Sequence, residues 1–92
     1  IDVRRSVDDP LFDADVNILG SIKLANLAVE FKVRKIIYIS SGGAVYGEPV
    51  YLPCDEKHPV HPLCPYGASK YAFEMYLFLF HQNFGLDYTI IR

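Results

Sequence analysis

The chain lacks the features that mark several large classes of protein. No apolar stretch approaches the roughly 18 residues that a membrane-spanning helix needs, and no apolar segment of a signal peptide follows residues 1–5. Eleven acidic residues outnumber nine lysines and arginines, and the net charge of −2 offers no basic face to nucleic acid. The sequence therefore predicts no membrane-spanning segment, no signal peptide and no nucleic-acid-binding surface.

Cysteines and metal-ligand patterns are also sparse. The two cysteines, Cys54 and Cys64, have neither a CxxC spacing nor a metal-like spacing. We interpret them as free thiols of a cytoplasmic protein, and a disulfide between them is the less favoured alternative. The three histidines, His58, His61 and His81, show no recognisable zinc pattern and are expected to be solvated or packed in loops. The sequence predicts no metal site.

The hydrophobic content indicates part of a globular domain. Hydrophobic residues make up 51% of the 92 residues, and a chain this short buries only about 60–65% of its unfolded surface. The chain has no initiator methionine and ends on residues 88–92, which have the pattern of an unfinished strand. We expect it to be a piece of a longer protein.

Periodicity and turn residues predict two helices, each followed by a strand. Asp9 and Pro10 suit the start of an amphipathic helix that extends to about Phe31. A buried strand follows over residues 35–40. A second helix is predicted over residues 65–83, with Gly85 as a left-handed stop, and then a strand over residues 86–92.

This order predicts an α/β fold, a helix-strand-helix-strand part of a Rossmann-type doubly wound parallel sheet. Alternating helices and strands imply right-handed crossovers and helices on both faces of the sheet. Residues 41–64 hold three glycines and four prolines between the first strand and the second helix. Such a long loop is usually functional.

The second helix is apolar on nearly all sides. We expect one side to pack on the sheet and another against a partner subunit, with a further domain of the same chain as the alternative. The apolar residues are Tyr71, Ala72, Phe73, Met75, Tyr76, Leu77, Phe78, Leu79 and Phe80.

Tyr66 and Lys70 are the strongest candidates for chemistry. Four residues is about one helical turn, so both side chains rise from one face with Cβ atoms ~5–6 Å apart. A free phenol titrates near ~10 and is a poor base at neutral pH. An ammonium group ~6 Å away favours the phenolate by about 2.8 kcal/mol at an effective dielectric constant of ~20. A cationic cofactor such as an oxidised nicotinamide ring would supply the remainder, which makes the pair a candidate proton-transfer device. By itself, this pair of residues also fits a surface tyrosine beside a solvated lysine.

Three motifs, in order and spacing, resemble the extended short-chain dehydrogenase/reductase superfamily. The resemblance is to its NAD-dependent epimerase/dehydratase family, and within it to nucleotide-sugar epimerases of the UDP-glucose 4-epimerase type. The motifs are Asn17-Ile18-Leu19-Gly20-Ser21, Ser40-Ser41-Gly42-Gly43-Ala44-Val45-Tyr46-Gly47 and Pro65-Tyr66-Gly67-Ala68-Ser69-Lys70.

The resemblance implies a C4 epimerase that uses NAD and passes through a 4-keto sugar. Tyr66 matches the catalytic base, and Lys70 matches the lysine that binds the nicotinamide ribose and favours the phenolate. Ser41 is assigned to the hydroxyl that binds the sugar oxygen, with Ser40 as a neighbour on the cofactor side. Asn17 lies near the cofactor in this comparison, or else makes a structural hydrogen bond between helix and strand.

Two features of the serine-glycine loop depart from relatives of this kind. Counting back from Val45 places Gly42 at the family's Ser/Thr position, whereas counting forward from the strand gives Ser41, so a backbone amide is the alternative. The related dehydratases place an Asp-Glu pair where Gly42 and Gly43 stand. Because elimination of water needs such an acid, an epimerase is favoured over a dehydratase. A related NAD(P)-dependent nucleotide-sugar reductase or dehydratase of the same fold is the alternative enzyme. A catalytically idle Rossmann binding module is the alternative from another class.

The glycine-rich dinucleotide turn of the family, G-x-x-G-x-x-G, is not in the sequence. We therefore interpret residues 1–92 as the central to C-terminal part of an NAD(P)-binding Rossmann domain, without its N-terminal half or the substrate domain. This piece alone is expected to bind NAD poorly and to be inactive. The complete protein is expected to be a cytoplasmic homodimer that acts on a nucleotide sugar.

Overall fold

The computed structural model describes residues 2–92 as seven regular elements and one π-helical segment. The helices are α1 (Val3–Asp8), α2 (Pro10–Ala14), α3 (Ser21–Glu30), α4 (Gly42–Tyr46) and α5 (Pro65–Phe84), and the strands are β1 (Lys35–Ile39) and β2 (Asp87–Ile91). The π-helical segment, Asp15–Gly20, joins α2 to α3. None of the helices in this part of the chain is long and apolar enough to span a bilayer.

The first predicted helix has the expected limits but not the expected regularity. Asp9 caps it by accepting the Phe12 N–H at 3.1 Å, and Pro10 occupies the first turn. The prediction of one continuous α-helix was wrong, because residues 15–20 form π-type bonds that widen the helix. Helix α1 was not predicted; its N-cap residue, Asp2, accepts the Arg4 N–H at 2.6 Å.

The two strands pair in parallel, as predicted. Their register runs from Lys35 opposite Asp87 to Ile39 opposite Ile91. Helices α3 and α5 pack on the same face of this sheet around a buried apolar cluster. The cluster consists of Ala25, Ala28, Phe73, Leu77, Phe80 and Leu86, with Ile36, Tyr38, Tyr88 and Ile90 packed against it from the strands.

Among the described residues, helices cover only one face of the sheet. Ile37 and Ile39 on the opposite face are 64% and 61% exposed. Both helices lie on one face because consecutive right-handed connections along one direction of a sheet stay on the same side.

The predicted loop after β1 contains structure of its own. Helix α4 begins three residues after β1 ends, and Gly47 then adopts φ +71 where the chain passes close to His61. His58 is buried: its Nε2 accepts the Val50 N–H, and its Nδ1 donates to the Pro59 carbonyl, both at 2.9 Å. His58 is therefore a packed loop histidine, one of the two roles expected for it.

Helix α5 begins and ends as the sequence predicts. Pro65 starts it, and Gly85 ends it at φ +70, where the Gly85 N–H bonds to the His81 carbonyl. Its first turn lies against α4 so closely that a Cβ atom on Gly67 would stand 2.2 Å from the Ala44 carbonyl oxygen. Only glycine permits this approach.

Replacing Gly67 by alanine should therefore destabilise the fold. The new methyl group would force backbone away from backbone, at a cost of about 1–3 kcal/mol in the free energy of unfolding. Chemical denaturation of the complete protein measures the change. Gly43→Ala is the matched control, because a Cβ atom there meets nothing within 4 Å and alanine favours the helical state of α4. Equal stability of the two variants would contradict the close approach.

Candidate active site

One stripe of α5 carries three ionisable side chains toward the carboxyl end of β1. Tyr66, Lys70 and Glu74 are spaced by four residues and so share a face of the helix. Tyr38 of β1 lies beneath them. The Lys70 ammonium group is 4.3 Å from the centroid of the Tyr38 ring, within the range of a cation–π contact.

Burial controls the electrostatics of this stripe. It lowers the pKa of Lys70, and the Glu74 carboxylate partly offsets that effect. Burial also raises the pKa of Tyr38, with further increases from negative charge on Glu74 and Tyr66. The Tyr38 phenol therefore stays protonated at neutral pH. Within residues 2–92, Lys70 has no carboxylate at ion-pair distance, so its ammonium group can contact a ligand.

The backbone amides in the first turn of α5 are already paired. The Tyr66 N–H donates to Ser6 Oγ at 3.1 Å, the Gly67 N–H to Cys64 Sγ at 3.4 Å and the Ala68 N–H to the Cys64 carbonyl at 3.1 Å. Pro65 has no N–H to offer. This helix end therefore does not present free amides to a phosphate group.

Ser41 borders a cavity whose lining includes neither Tyr66 nor Lys70. It occupies the N-cap position of α4, yet its hydroxyl makes no capping bond there. It lines an open cavity of about 470 Å³ together with Gly43, Glu48 and Cys64. Since Cys64 immediately precedes α5, this cavity lies between the starts of α4 and α5.

Ser40 has a different environment from Ser41. It is buried, and its hydroxyl donates to Glu74 Oε1 at 2.5 Å. The cofactor-binding role assigned to Ser40 stays a prediction, and its hydroxyl is already engaged by protein. This partner was not predicted from the sequence, because 34 residues separate Ser40 from Glu74.

Glu74 also joins the ends of the strands to α5. It forms an ion pair with Arg92, in which Nη2 and Oε2 are 2.6 Å apart, and Arg92 Nη1 donates to the Tyr46 hydroxyl at 3.0 Å. Hydrogen bonding to Glu74 raises the pKa of Arg92, so the guanidinium group is permanently charged. Tyr46 is buried against the His58 ring, and its hydroxyl is held by Arg92.

Asn17 is linked to α5 through a residue that the sequence analysis missed. Its Nδ2 donates to Asp13 Oδ1 at 2.9 Å, while Asp13 Oδ2 accepts from Ser69 Oγ at 2.6 Å. The alternative role considered for Asn17 was a structural bond to a strand, whereas the bond runs to a helix residue. The four-residue spacing of Asp13 and Asn17 was the only signal of this contact in the sequence.

Cys54 and Cys64 are free thiols, as interpreted. In the part of the chain that the structure describes, no three His, Cys, Asp or Glu side chains are grouped to hold a metal ion.

Comparison with known proteins places the chain in one family. The family model described as GDP-mannose 4,6 dehydratase matches residues 1–92. A putative UDP-glucose 4-epimerase of Methanocaldococcus jannaschii is 50% identical over 92 residues, which are 100% of this chain and 30% of that protein.

Solved structures show the same fold. A UDP-glucose 4-epimerase of Thermotoga maritima with UDP-glucose has a TM-score of 0.94 at 45% identity, covering 98% of this chain and 29% of that one. The Thermus thermophilus UDP-glucose 4-epimerase complex with NAD has a TM-score of 0.93 at 42% identity, covering 98% and 29%. A dTDP-glucose 4,6-dehydratase of Streptomyces venezuelae, DesIV, with NAD and TYD bound, has a TM-score of 0.90 at 29% identity, covering 98% and 28%.

The chain thus spans about 30% of the curated relative's length, and a similar share of each solved structure. The Rossmann-type α/β fold predicted from the sequence is confirmed by these neighbours. Because the family model matches the chain over its whole length, the protein belongs to the NAD-dependent epimerase/dehydratase family.

Proposed function

We propose that the complete protein is an NAD-dependent nucleotide-sugar 4-epimerase of the UDP-glucose 4-epimerase type. The observation that carries this proposal is the pairing of Tyr66 with Lys70 on one face of α5, beside the neutral phenol of Tyr38. The names of the M. jannaschii and T. maritima relatives support the same reaction.

The residues of this chain fit the nicotinamide-ribose half of the cofactor. Lys70 offers an ammonium group that no described carboxylate pairs, and Ser41 offers a hydroxyl beside the open cavity. The sequence has no glycine-rich turn for the pyrophosphate, and the first-turn amides of α5 are already paired. We therefore propose that residues 1–92 form the central to C-terminal part of the Rossmann domain. The glycine-rich half would precede it and a substrate domain would follow.

In this proposal Tyr66 accepts a proton from the sugar and later returns it. Its phenolate accepts the proton of the sugar 4-hydroxyl as the C4 carbonyl forms, and later returns that proton to the same oxygen. Lys70 stabilises the phenolate and binds the ribose hydroxyls, while Ser41 donates to the sugar oxygen. NAD, when bound, supplies the hydride acceptor and donor. Inversion at C4 would require the ketone to present its opposite face within the site before the proton is returned.

The loop after β1 favours epimerisation over dehydration. Elimination of water needs a general acid near the sugar, and Gly42 and Gly43 stand where the dehydratases carry an acid pair. Among the residues that line the cavity of Ser41, only Glu48 has a carboxylate, and it is exposed to solvent. A dehydratase or reductase of the same fold is the second candidate, and the likeness to the DesIV structure favours keeping it.

We also propose a cytoplasmic homodimer that associates through α5. Met75, Phe78 and Leu79 are exposed on this helix, so its outer face presents apolar surface. Phe80, in contrast, is buried in the core beneath it and cannot serve as the contact. The two free thiols suit a reducing compartment.

Tyr66→Phe should nearly abolish turnover of UDP-galactose to UDP-glucose. Removing a general base lowers kcat by about 10²–10⁴-fold, whereas NAD should remain bound. Tyr88→Phe is the matched control, because Tyr88 lies near the start of β2, away from the carboxyl ends of the strands. Interconversion that survives Tyr66→Phe would remove the tyrosine from the mechanism. Wild-type protein that binds NAD but converts no nucleotide sugar would indicate the idle binding module.

The pH dependence of kcat/KM should report the burial of Lys70. Since burial lowers the pKa of Lys70 from its usual value of 10.5, the ammonium group loses its proton, and the rate should fall, before the pH reaches that value. Lys70→Arg keeps its charge above pH ~12, so the alkaline fall should disappear even if the maximal rate is lower. A wild-type rate that stays flat through pH 10.5 would contradict this assignment.

Phe78→Glu should weaken self-association of the complete protein in sedimentation experiments. Phe78 is 51% exposed, and a carboxylate placed in an apolar interface would have to be desolvated without a partner. Gln82→Glu is the matched control, because it adds the same negative charge at another exposed residue, one turn further along α5. An unchanged dimer in the Phe78 variant would exclude this face as the contact.

A further inference from the structure

We propose that Ser6 and Asp13 are positioning residues that hold the first turn of α5, and thereby keep Tyr66 and Lys70 in their reactive placement. This inference rests on the proposed function. Ser6 contacts the turn at the backbone of Tyr66, and Asp13 contacts it at Ser69. We call these two contacts the α5 clamp.

The first contact is made by a fully buried hydroxyl. Ser6 Oγ accepts the N–H of Tyr66 at 3.1 Å and donates to the Val3 carbonyl at 2.6 Å. Its donor and acceptor capacities are therefore both used, and its orientation is fixed. The contact bridges 60 residues of sequence and reaches the backbone of the proposed base itself.

The second contact is made by a fully buried carboxyl group. Asp13 accepts from Ser69 on α5 through one oxygen and from Asn17 on the π-helical segment through the other. Within residues 2–92, no cation lies at ion-pair distance from it. An apolar residue of similar size would fill this space without burying a carboxyl group. The hydrogen bonds that Asp13 makes, more than its volume, therefore account for its presence.

The α5 clamp contacts the helical turn that carries both Tyr66 and Lys70. Ser69 directly precedes Lys70, and the amide that Ser6 binds belongs to Tyr66. A shift or rotation of this turn would move the phenol and the ammonium group relative to the sugar and the cofactor. A misplacement of about 1 Å can lower the rate of an oriented reaction by roughly 10²-fold.

The test compares variants of the complete protein. Ser69→Ala and Asp13→Ala should lower kcat by roughly 10- to 100-fold, with KM for the nucleotide sugar within about twofold of wild type. Asp13→Asn should recover much of the lost kcat. The oxygen of the new amide can still accept from Asn17 Nδ2, and its NH₂ group can donate to Ser69 Oγ. Asp15→Ala is the matched control: Asp15 lies two residues away, is exposed, and makes no side-chain bond among the described residues.

A second measurement separates positioning from simple stabilisation. The rates are expressed per folded molecule. In Ser69→Ala, the pH at which kcat reaches half its maximum on the acid side should rise, because a displaced Lys70 stabilises the Tyr66 phenolate less than in the wild type. A variant with a lower Tm but unchanged kcat and pH profile would overturn the proposal. If Asp13→Ala does not fold, Ser69→Ala and Asp13→Asn carry the same comparison.

Failure of the proposed function is recognised separately. Wild-type protein without epimerase activity would contradict the proposed function. The α5 clamp would then be tested by amide hydrogen exchange. Faster exchange of a peptide covering residues 65–70 in Ser69→Ala than in Asp15→Ala then supports the clamp. Equal protection in the two variants overturns it.

Discussion

The position of α5 depends on a buried carboxylate halfway along its length. Glu74 accepts from Ser40 at the end of β1 and pairs with Arg92 at the end of β2, and Arg92 in turn reaches Tyr46 of α4. A buried ion pair adds little net stability, but the loss of one partner costs about 3–5 kcal/mol because it leaves a charge without compensation. Glu74 therefore acts as a strict constraint on how the helix and both strands meet.

A second constraint acts at the first turn of the same helix. Ser6 and Asp13 bind this turn from α1 and α2, so α5 is held at two points along its axis. Tyr66 lies at the first of these points, and Lys70 lies between that point and Glu74. The side chains with proposed roles in the reaction thus belong to a segment with little freedom to shift. This suits a reaction that needs a proton acceptor and a hydride acceptor in fixed relative positions.

Tyr38 and Tyr66 have different surroundings near Lys70. Burial keeps its phenol protonated while its ring supports the Lys70 ammonium group. Two tyrosines thus lie near one lysine, and their surroundings separate their roles: one packs beneath the lysine as a neutral ring, and the other is the proposed base. Ser41 and Ser40 show the same division, since one hydroxyl borders the open cavity and its neighbour is engaged by Glu74.

Local sequence determined the parts of the structure that depend on near neighbours. Pro65 and Gly85 set the limits of α5, the apolar run placed β1, and the spacing of Tyr66 and Lys70 put both side chains on one face of the helix. Helical and strand periods are properties of a few consecutive residues. The tertiary structure alone decided which serine is engaged, that Phe80 faces inward, and that Asp13 joins Asn17 to Ser69. The contacts of Ser40 with Glu74 and of Asp13 with Ser69 join residues 34 and 56 positions apart, and the orientation of Phe80 depends on which face of α5 is buried. No local pattern encodes these three outcomes.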